Sequence, residues 1–348
     1  MTKLPPAAIM GSQHSIGASA RGRGEEIVIG LVNNMSGAAF QTAERQFSEL
    51  VAGAAQGAPY LLKTFSLIEP PCAANGEDGR FGGCVPVSEL WTSRLDGLIV
   101  TGAEPKAASL PEEPFWPFLS RLVDWAEENT VSTIWSCLAA HAAVYHLDGI
   151  ARRGRTEKLF GLFECVNLAS DPILEGLPAR WIMPHSRFND LPEAPLAARG
   201  YRILSRSAVA GADAFVKQGH SLHVFLQGHP EYDAEALLRE YRRDIRRYLT
   251  AESERYPEPP AGCFTPDVLE SLSAFRQRAL EDRRPDLFAE LPAAALMWGG
   301  QAQWRPVAQT FYRNWFDLLA QKARSEIEAS DFDGDAPDYG REGLSDRG

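Results

Sequence analysis

Hydrophobic positions along the chain follow two rhythms that alternate. "EIVIGLVNN" is a short apolar run with β-branched residues and predicts a strand. In the next segment, "QTAERQFSELVAGA", Phe47, Leu50 and Val51 fall on one helical face. "PYLLKTFSLI" predicts a second strand, and a loop rich in Gly, Pro and Cys follows from about residue 70 to 87. "LDGLIVTG" predicts a buried strand ending at Gly102, and "PFWPFLSRLVDWAEEN" a helix with its apolar stripe inward. "VSTIWS" is a further strand, and "CLAAHAAVYHL" a helix closed by Gly149. This order predicts an α/β fold with a mostly parallel sheet and helices on both faces. Chemistry in such sheets collects at the carboxyl ends of strands. Three places qualify: Thr101 to Lys106, Ser136 to Leu138, and Gln227 to Glu231.

Composition narrows the class. The 348 residues, 45% hydrophobic and 23% charged, are ordinary for a soluble globular chain. Residues 25–322 are expected to form a single α/β domain. Two flanks are expected to be disordered: residues 1–24, rich in Gly, Ser, Ala and Arg, and the acidic stretch 323–348. A net charge of −11 argues against nucleic acid as the main partner, because a phosphate backbone would be repelled. No run approaches the roughly 20 apolar residues of a membrane span. The first residues lack the apolar core of a secretory signal. Cys72, Cys84, Cys137, Cys165 and Cys263 form no CxxC pair and no zinc-like spacing. An odd number of thiols without such a signal fits the reducing cytoplasm.

Cys137 stands where a strand passes into a helix. There a thiol meets oriented backbone N–H groups and the positive end of the helix dipole, which favour thiolate. The N–H of Leu138 is placed to meet an oxyanion, and Ala103, after "LIVTG", to supply a second N–H. Ala139, Ala142 and Ala143 are small enough to let the helix lie close to the sheet. The alternative is a buried structural cysteine. None of the other four thiols has this strand-to-helix context.

In "SLHVFLQGHPEYD", His229 and Glu231 follow an apolar run within a turn built on Gly228 and Pro230. Positions i and i+2 of an extended chain share a face, so the carboxylate can reach the imidazole. His229 is the candidate base for Cys137, oriented by Glu231. His223, His229 and Glu231 are too sparse for a ligand set, so no metal is expected.

"DGLIVTGA", "FWP", "RTEKL", "PHSR", "GHPEYD", Arg243 and a late "NW" occur in order from about residue 27 to 320. This ordered set resembles the homoserine O-succinyltransferase family, which is related to class I glutamine amidotransferases. The resemblance implies a flavodoxin-like core and ping-pong transfer from succinyl-CoA or acetyl-CoA to the hydroxyl of homoserine, a step of methionine biosynthesis. It also implies a homodimer, with no bound cofactor. By the same resemblance Cys137 is the acylated residue, His229 the base and Glu231 its partner, while Lys158, Ser186 and Arg243 bind substrate. Lys158 suits an anionic group and the Arg243 guanidinium an amino-acid carboxylate. Ser186 and Arg187 are read as a polar loop orienting the acceptor. Arg243 is placed on the helix "DAEALLREYRRDIRRYL" with Asp233 as N-cap. Its neighbours Arg239, Arg242, Arg246 and Arg247 are read as surface.

Two departures bear on specificity. Where the family carries a lysine pair after "NLMP", this chain has Gly37, Ala38 and Ala39. Where the family has glycine or glutamate after "TGA", the register places Lys106, a cation suited to the distal carboxylate of a succinyl group. Another hydroxy-amino acid as acceptor stays open. Two other readings are a glutamine amidotransferase-like hydrolase and a catalytically silent binding protein on the same fold.

Overall fold

The computed structural model of the chain describes residues 26–66, 85–293 and 302–334. The expected N-terminal flank, most of the loop at 70–87 with Cys72 and Cys84, and the chain from residue 335 lie outside the described residues.

Among the described residues ten strands form one sheet in the order β3-β2-β1-β4-β5-β10-β9-β8-β6-β7. The parallel part is built from β1 (Ile27–Asn33), β2 (Tyr60–Ser66), β3 (Val85–Pro86), β4 (Gly97–Val100), β5 (Ser132–Ser136) and β10 (Leu222–Leu226). Helices α1 (Ala38–Ala55), α2 (Trp116–Asn129) and α3 (Leu138–Asp148) alternate with these strands as the two rhythms predict. The period-2 alternation of buried strands feeds two cores. Ile29, Leu31, Ile99 and Ile134 pack with Phe47, Leu50 and Val51 of α1 and with Trp315 of α7 (Arg305–Gly334). Leu98, Val100 and Trp135 face the other way, onto α2 and the Ala139, Ala142 and Ala143 stripe of α3. The expected mostly parallel sheet with helices on both faces is therefore present.

Its second half is antiparallel. β9 (Gly211–Gln218), β8 (Arg202–Ser207), β6 (Arg153–Asn167) and β7 (Arg180–Asp190) continue the sheet beyond β10. Ser186 and Arg187 thus lie on a strand, not in the polar loop expected for them. A third core joins α5 (Ala236–Leu249) and α6 (Pro266–Glu281), with Tyr241, Ile245, Leu272 and Phe275 fully buried. The α5 N-cap is Glu235, two residues past the expected Asp233, whose carboxylate instead accepts the Glu235 N–H in a local turn. Helix α7 runs past residue 322, the boundary set for the acidic tail. The continuation "ARSEIEAS" is rich in strong helix formers, which extend a helix already anchored by its buried first half.

Close packing of β6 against the segment before α6 rests on Gly161. Its φ is +135°, and an added Cβ would lie 2.3 Å from the Ala261 oxygen and 2.4 Å from its nitrogen. Both neighbours are backbone and Leu162 donates to the same Ala261 oxygen, so neither can yield cheaply. Gly161→Ala is expected to cost about 3 kcal/mol, read as a lower urea midpoint at unchanged slope.

Candidate active site

The carboxyl ends of β4, β5 and β10 converge where the strand-end rule pointed. After β5 the chain reverses at Cys137, whose φ of 51° and ψ of −111° are costly for a residue with a side chain. Its N–H donates to the Leu226 carbonyl at 2.7 Å, pinning the elbow to the end of β10. The sharp turn lifts the half-buried sulfur out of the strand and sets Leu138 as the first residue of α3. The opposing wall is Gly102, at the end of β4. A Cβ there would stand 3.3 Å from the Leu138 nitrogen and 3.4 Å from the Cys137 Cβ, so a side chain would crowd that N–H. Ala103 follows directly in the same loop.

On the neighbouring strand end, His229 and Glu231 are buried and joined, Nδ1 to Oε1, at 2.7 Å. The turn carrying them is held from three sides. The His229 N–H donates to the Pro184 carbonyl at 2.8 Å, the Gln227 N–H to the Asp213 carbonyl at 2.8 Å, and Trp304 Nε1 to the Tyr232 carbonyl at 2.8 Å. His229 Nε2 is buried without a hydrogen-bond partner and lies within electrostatic reach of the Cys137 sulfur. Burial pushes the imidazole pKa down, but the Glu231 charge and a charged Cys137 sulfur outweigh it and hold it well above its ordinary value. The structure thus brings Cys137, His229 and Glu231 together.

A second cluster centres on Glu240, which sequence reasoning missed. Glu240 Oε2 accepts from Ser186 Oγ at 2.6 Å and from Lys158 Nζ at 3.1 Å, and Tyr232 OH donates to its Oε1. Lys158 is on β6; it also reaches Asp244 at 3.0 Å and sits 4.0 Å over the Phe160 ring. Arg243, near half exposed, pairs with Asp244 at 2.8 Å and approaches Glu240 at 3.6 Å. Lys158, Ser186 and Arg243 therefore meet, but through an acid rather than around an empty space. Tyr232 links this cluster to the first, because its ring stacks on His229 at 4.3 Å. Arg187 does not join it. It turns into the core, donating to the Asn189 and Ala210 carbonyls and to His185 Nδ1, because alternate strand residues face opposite sides. Arg247, read as surface, clamps Glu104 of the β4 loop.

Burial pushes Glu240 up, but the Lys158 charge and the Ser186 and Tyr232 hydroxyls prevail, holding its pKa at about 2 against an ordinary 4.5. A depressed carboxylate contributes stability above its unfolded pKa and loses it as pH falls through the folded one. That contribution is lost between roughly pH 4.5 and pH 2. Glu240→Gln should thus be about 2–3 kcal/mol less stable than wild type at pH 7, the gap closing toward pH 2 in urea titrations at both pH values.

The remaining expected residues lie outside these two clusters. Lys106 has an exposed side chain, and its N–H donates to the buried Glu113 carboxylate at 3.0 Å. Gly37, Ala38 and Ala39, where the family lysines are absent, are exposed at the start of α1, and Asn34 ties that loop to Thr101 at 2.7 Å. His223 bonds Trp135 Nε1 and Glu127 and serves the core. Among the described residues, Cys165, His185 and Asp213 have ligand-type atoms within 4.8 Å of one another. They are already engaged: His185 meets Asp213 at 3.3 Å, Ser205 donates to Asp213 at 2.8 Å, and burial pushes the Cys165 thiol far up. This knot packs under Gly228, where a Cβ would meet Asp213 Oδ1 at 2.5 Å.

The family model described as homoserine O-succinyltransferase matches residues 7–325. A homoserine O-succinyltransferase of Rhodopseudomonas palustris is 46% identical over 322 residues, covering 92% of this chain and 95% of its own. Another, of Bradyrhizobium japonicum, is 44% identical over 305 residues, covering 85% of this chain and 90% of its own. Among solved structures, a glutamine amidotransferase of Thermotoga maritima matches with a TM-score of 0.46 at 14% identity, over 85% of this chain and 98% of that one. Among the described residues no helix is long and apolar enough to cross a membrane.

Proposed function

The chain belongs to the homoserine O-succinyltransferase family, and from that premise we propose that it carries a succinyl group from succinyl-CoA to the hydroxyl of L-homoserine through a thioester on Cys137. The observation that carries this reading is the meeting of an elbow thiol, a buried imidazole and its carboxylate at adjacent strand ends. In the first half, the Cys137 thiolate attacks the thioester carbonyl, and the oxyanion is met by the N–H groups of Leu138 and Ala103. The CoA sulfur leaves with the proton from His229. In the second half, His229 takes the hydroxyl proton as the homoserine oxygen attacks the acyl carbon, and the Cys137 thiolate is expelled. Acylation removes the sulfur's negative charge, one of the two that hold the imidazole proton, so His229 becomes free to act as base when the acceptor arrives.

Arg243, near half exposed, offers its guanidinium to the carboxylate of the acceptor amino acid, while Lys158 and Ser186 fix the carboxylate of Glu240 beside it. Lys106 answers the distal carboxylate of the succinyl group. Residues 25–322 act as one domain, in the cytoplasm and as a homodimer, as the family resemblance implies.

A matrix of acyl-CoAs against hydroxy-amino acids, read by CoA release, tests the proposal. Succinyl-CoA with homoserine should be fastest, and Lys106→Glu should lower kcat/KM about ten-fold more for succinyl-CoA than for acetyl-CoA. An equal loss for both donors removes Lys106 from the account. No CoA release with any pair removes the acyltransferase reading itself.

A further inference from the structure

Between the loop leaving α3 and helix α4 (Glu193–Ala198) lies an open cleft of about 530 Å³. Its walls carry Arg152, Arg153 and Arg199 together with Asp148, Pro192 and Pro195. Three guanidinium groups on one concave surface repel one another unless something negative sits among them. The nearby acids are already committed. Asp148 accepts from Lys217 at 2.5 Å and from Tyr201 at 2.6 Å, Asp190 is held by Arg155 and Arg187, and Glu193 faces Arg206 at 3.5 Å. Arg153 and Arg199 are exposed and have no ion-pair partner among the described residues. Arg152 is partly buried, and its Nη1 is buried without a hydrogen-bond partner. This cationic cleft stands out in a chain of net charge −11.

Its position relative to Cys137 identifies the anion. Cys137 caps one end of α3, and Asp148 and Gly149 at the other end line the cleft. At 1.5 Å per residue those ends are about 16 Å apart. Arg152, in the cleft wall, lies within electrostatic reach of both Glu113 and the Cys137 sulfur. A CoA thioester has this layout: a reactive carbonyl, a linear pantetheine arm of comparable length, and then phosphates. We propose that the Arg152–Arg153–Arg199 cleft binds the phosphates of the CoA carrier while its acyl end lies over Cys137. The assignment rests on the acyl-CoA reading above but concerns the carrier, not the acyl group.

The test separates carrier recognition from chemistry. An Arg153→Ala/Arg199→Ala double variant should raise KM for succinyl-CoA about ten-fold or more. It should leave kcat, and KM for the succinyl thioester of N-acetylcysteamine, which has no phosphate, within two-fold of wild type (roughly). Independently of turnover, adenosine 3′,5′-bisphosphate should bind the wild-type protein in calorimetry and lose about ten-fold in the double variant. Equal KM changes for both thioesters, no binding of the bisphosphate, or inorganic phosphate binding as tightly as the bisphosphate would each overturn the assignment. If the bisphosphate binds at these arginines but no acyl-CoA is consumed, the cleft stands and the acyl-transfer reading falls.

Discussion

Cys137→Ser is expected to lower kcat by on the order of 10⁴-fold or more while the fold survives. A serine hydroxyl fits the elbow without added volume, and the φ of 51° is no worse for serine than for cysteine. The Cys137 N–H bond to Leu226 is made by backbone and is retained. What disappears is the anion: a hydroxyl does not ionise beside this imidazole, so the first displacement loses its nucleophile. The variant should therefore stay folded, with a cooperative urea transition of wild-type slope, while turnover with succinyl-CoA and homoserine vanishes. The His229 pKa should fall as well, because the sulfur's charge is one of the influences raising it. An NMR titration of the His229 ring reads that shift directly. Full turnover in the serine variant removes the thioester from the account.

Glu231→Gln should lower kcat by about 10³- to 10⁴-fold, nearly as much, for a different reason. Glu231 is buried and accepts from His229 Nδ1 at 2.7 Å, which fixes the tautomer that presents Nε2 to the sulfur. An amide keeps the shape but removes the charge opposing the burial penalty on the imidazolium. The His229 pKa should drop, because the charge of Glu231 is one of the influences raising it. For stability the sign is opposite to that of Glu240. A group whose folded pKa is raised contributes below its unfolded value and loses that contribution as pH rises through the folded one. Wild type should therefore lose part of its advantage over the variant as pH climbs past 6.5 toward the raised His229 value, and denaturant midpoints across that range measure it. An unchanged kcat in Glu231→Gln would leave the imidazole acting alone.

The parallel half of the sheet was legible because each strand and helix carries its own rhythm. Ile29 and Leu31 alternate with neighbours facing the other core, and Phe47, Leu50 and Val51 make a stripe that only a helix can bury. The antiparallel half was not, and "MPHSRFND" shows why. Its polar residues read as a loop, yet His185 meets Asp213 and Arg187 spends its donors on carbonyls, so tertiary partners make a buried strand of them. Helix α6 was missed although Thr265 and Pro266 begin it in a recognisable way. In the site, Cys137 was legible from its place between a strand and a helix, and His229 with Glu231 from their spacing. Glu240 was not, because acids and arginines crowd α5 and read as a solvated face. Its signal was positional: Glu240, Arg243 and Asp244 stand at i, i+3 and i+4, on one side of the helix. That side faces β6 and β7 at Lys158 and Ser186, which no local pattern could disclose.

The most direct measurement is the intact mass of the protein, with peptide mapping, after mixing with succinyl-CoA and no acceptor. One succinyl group on Cys137, one equivalent of CoA released, and loss of the adduct when homoserine is added are expected. A protein that turns over both substrates together yet never carries the acyl group, with CoA freed only when the acceptor is present, would contradict the thioester on Cys137.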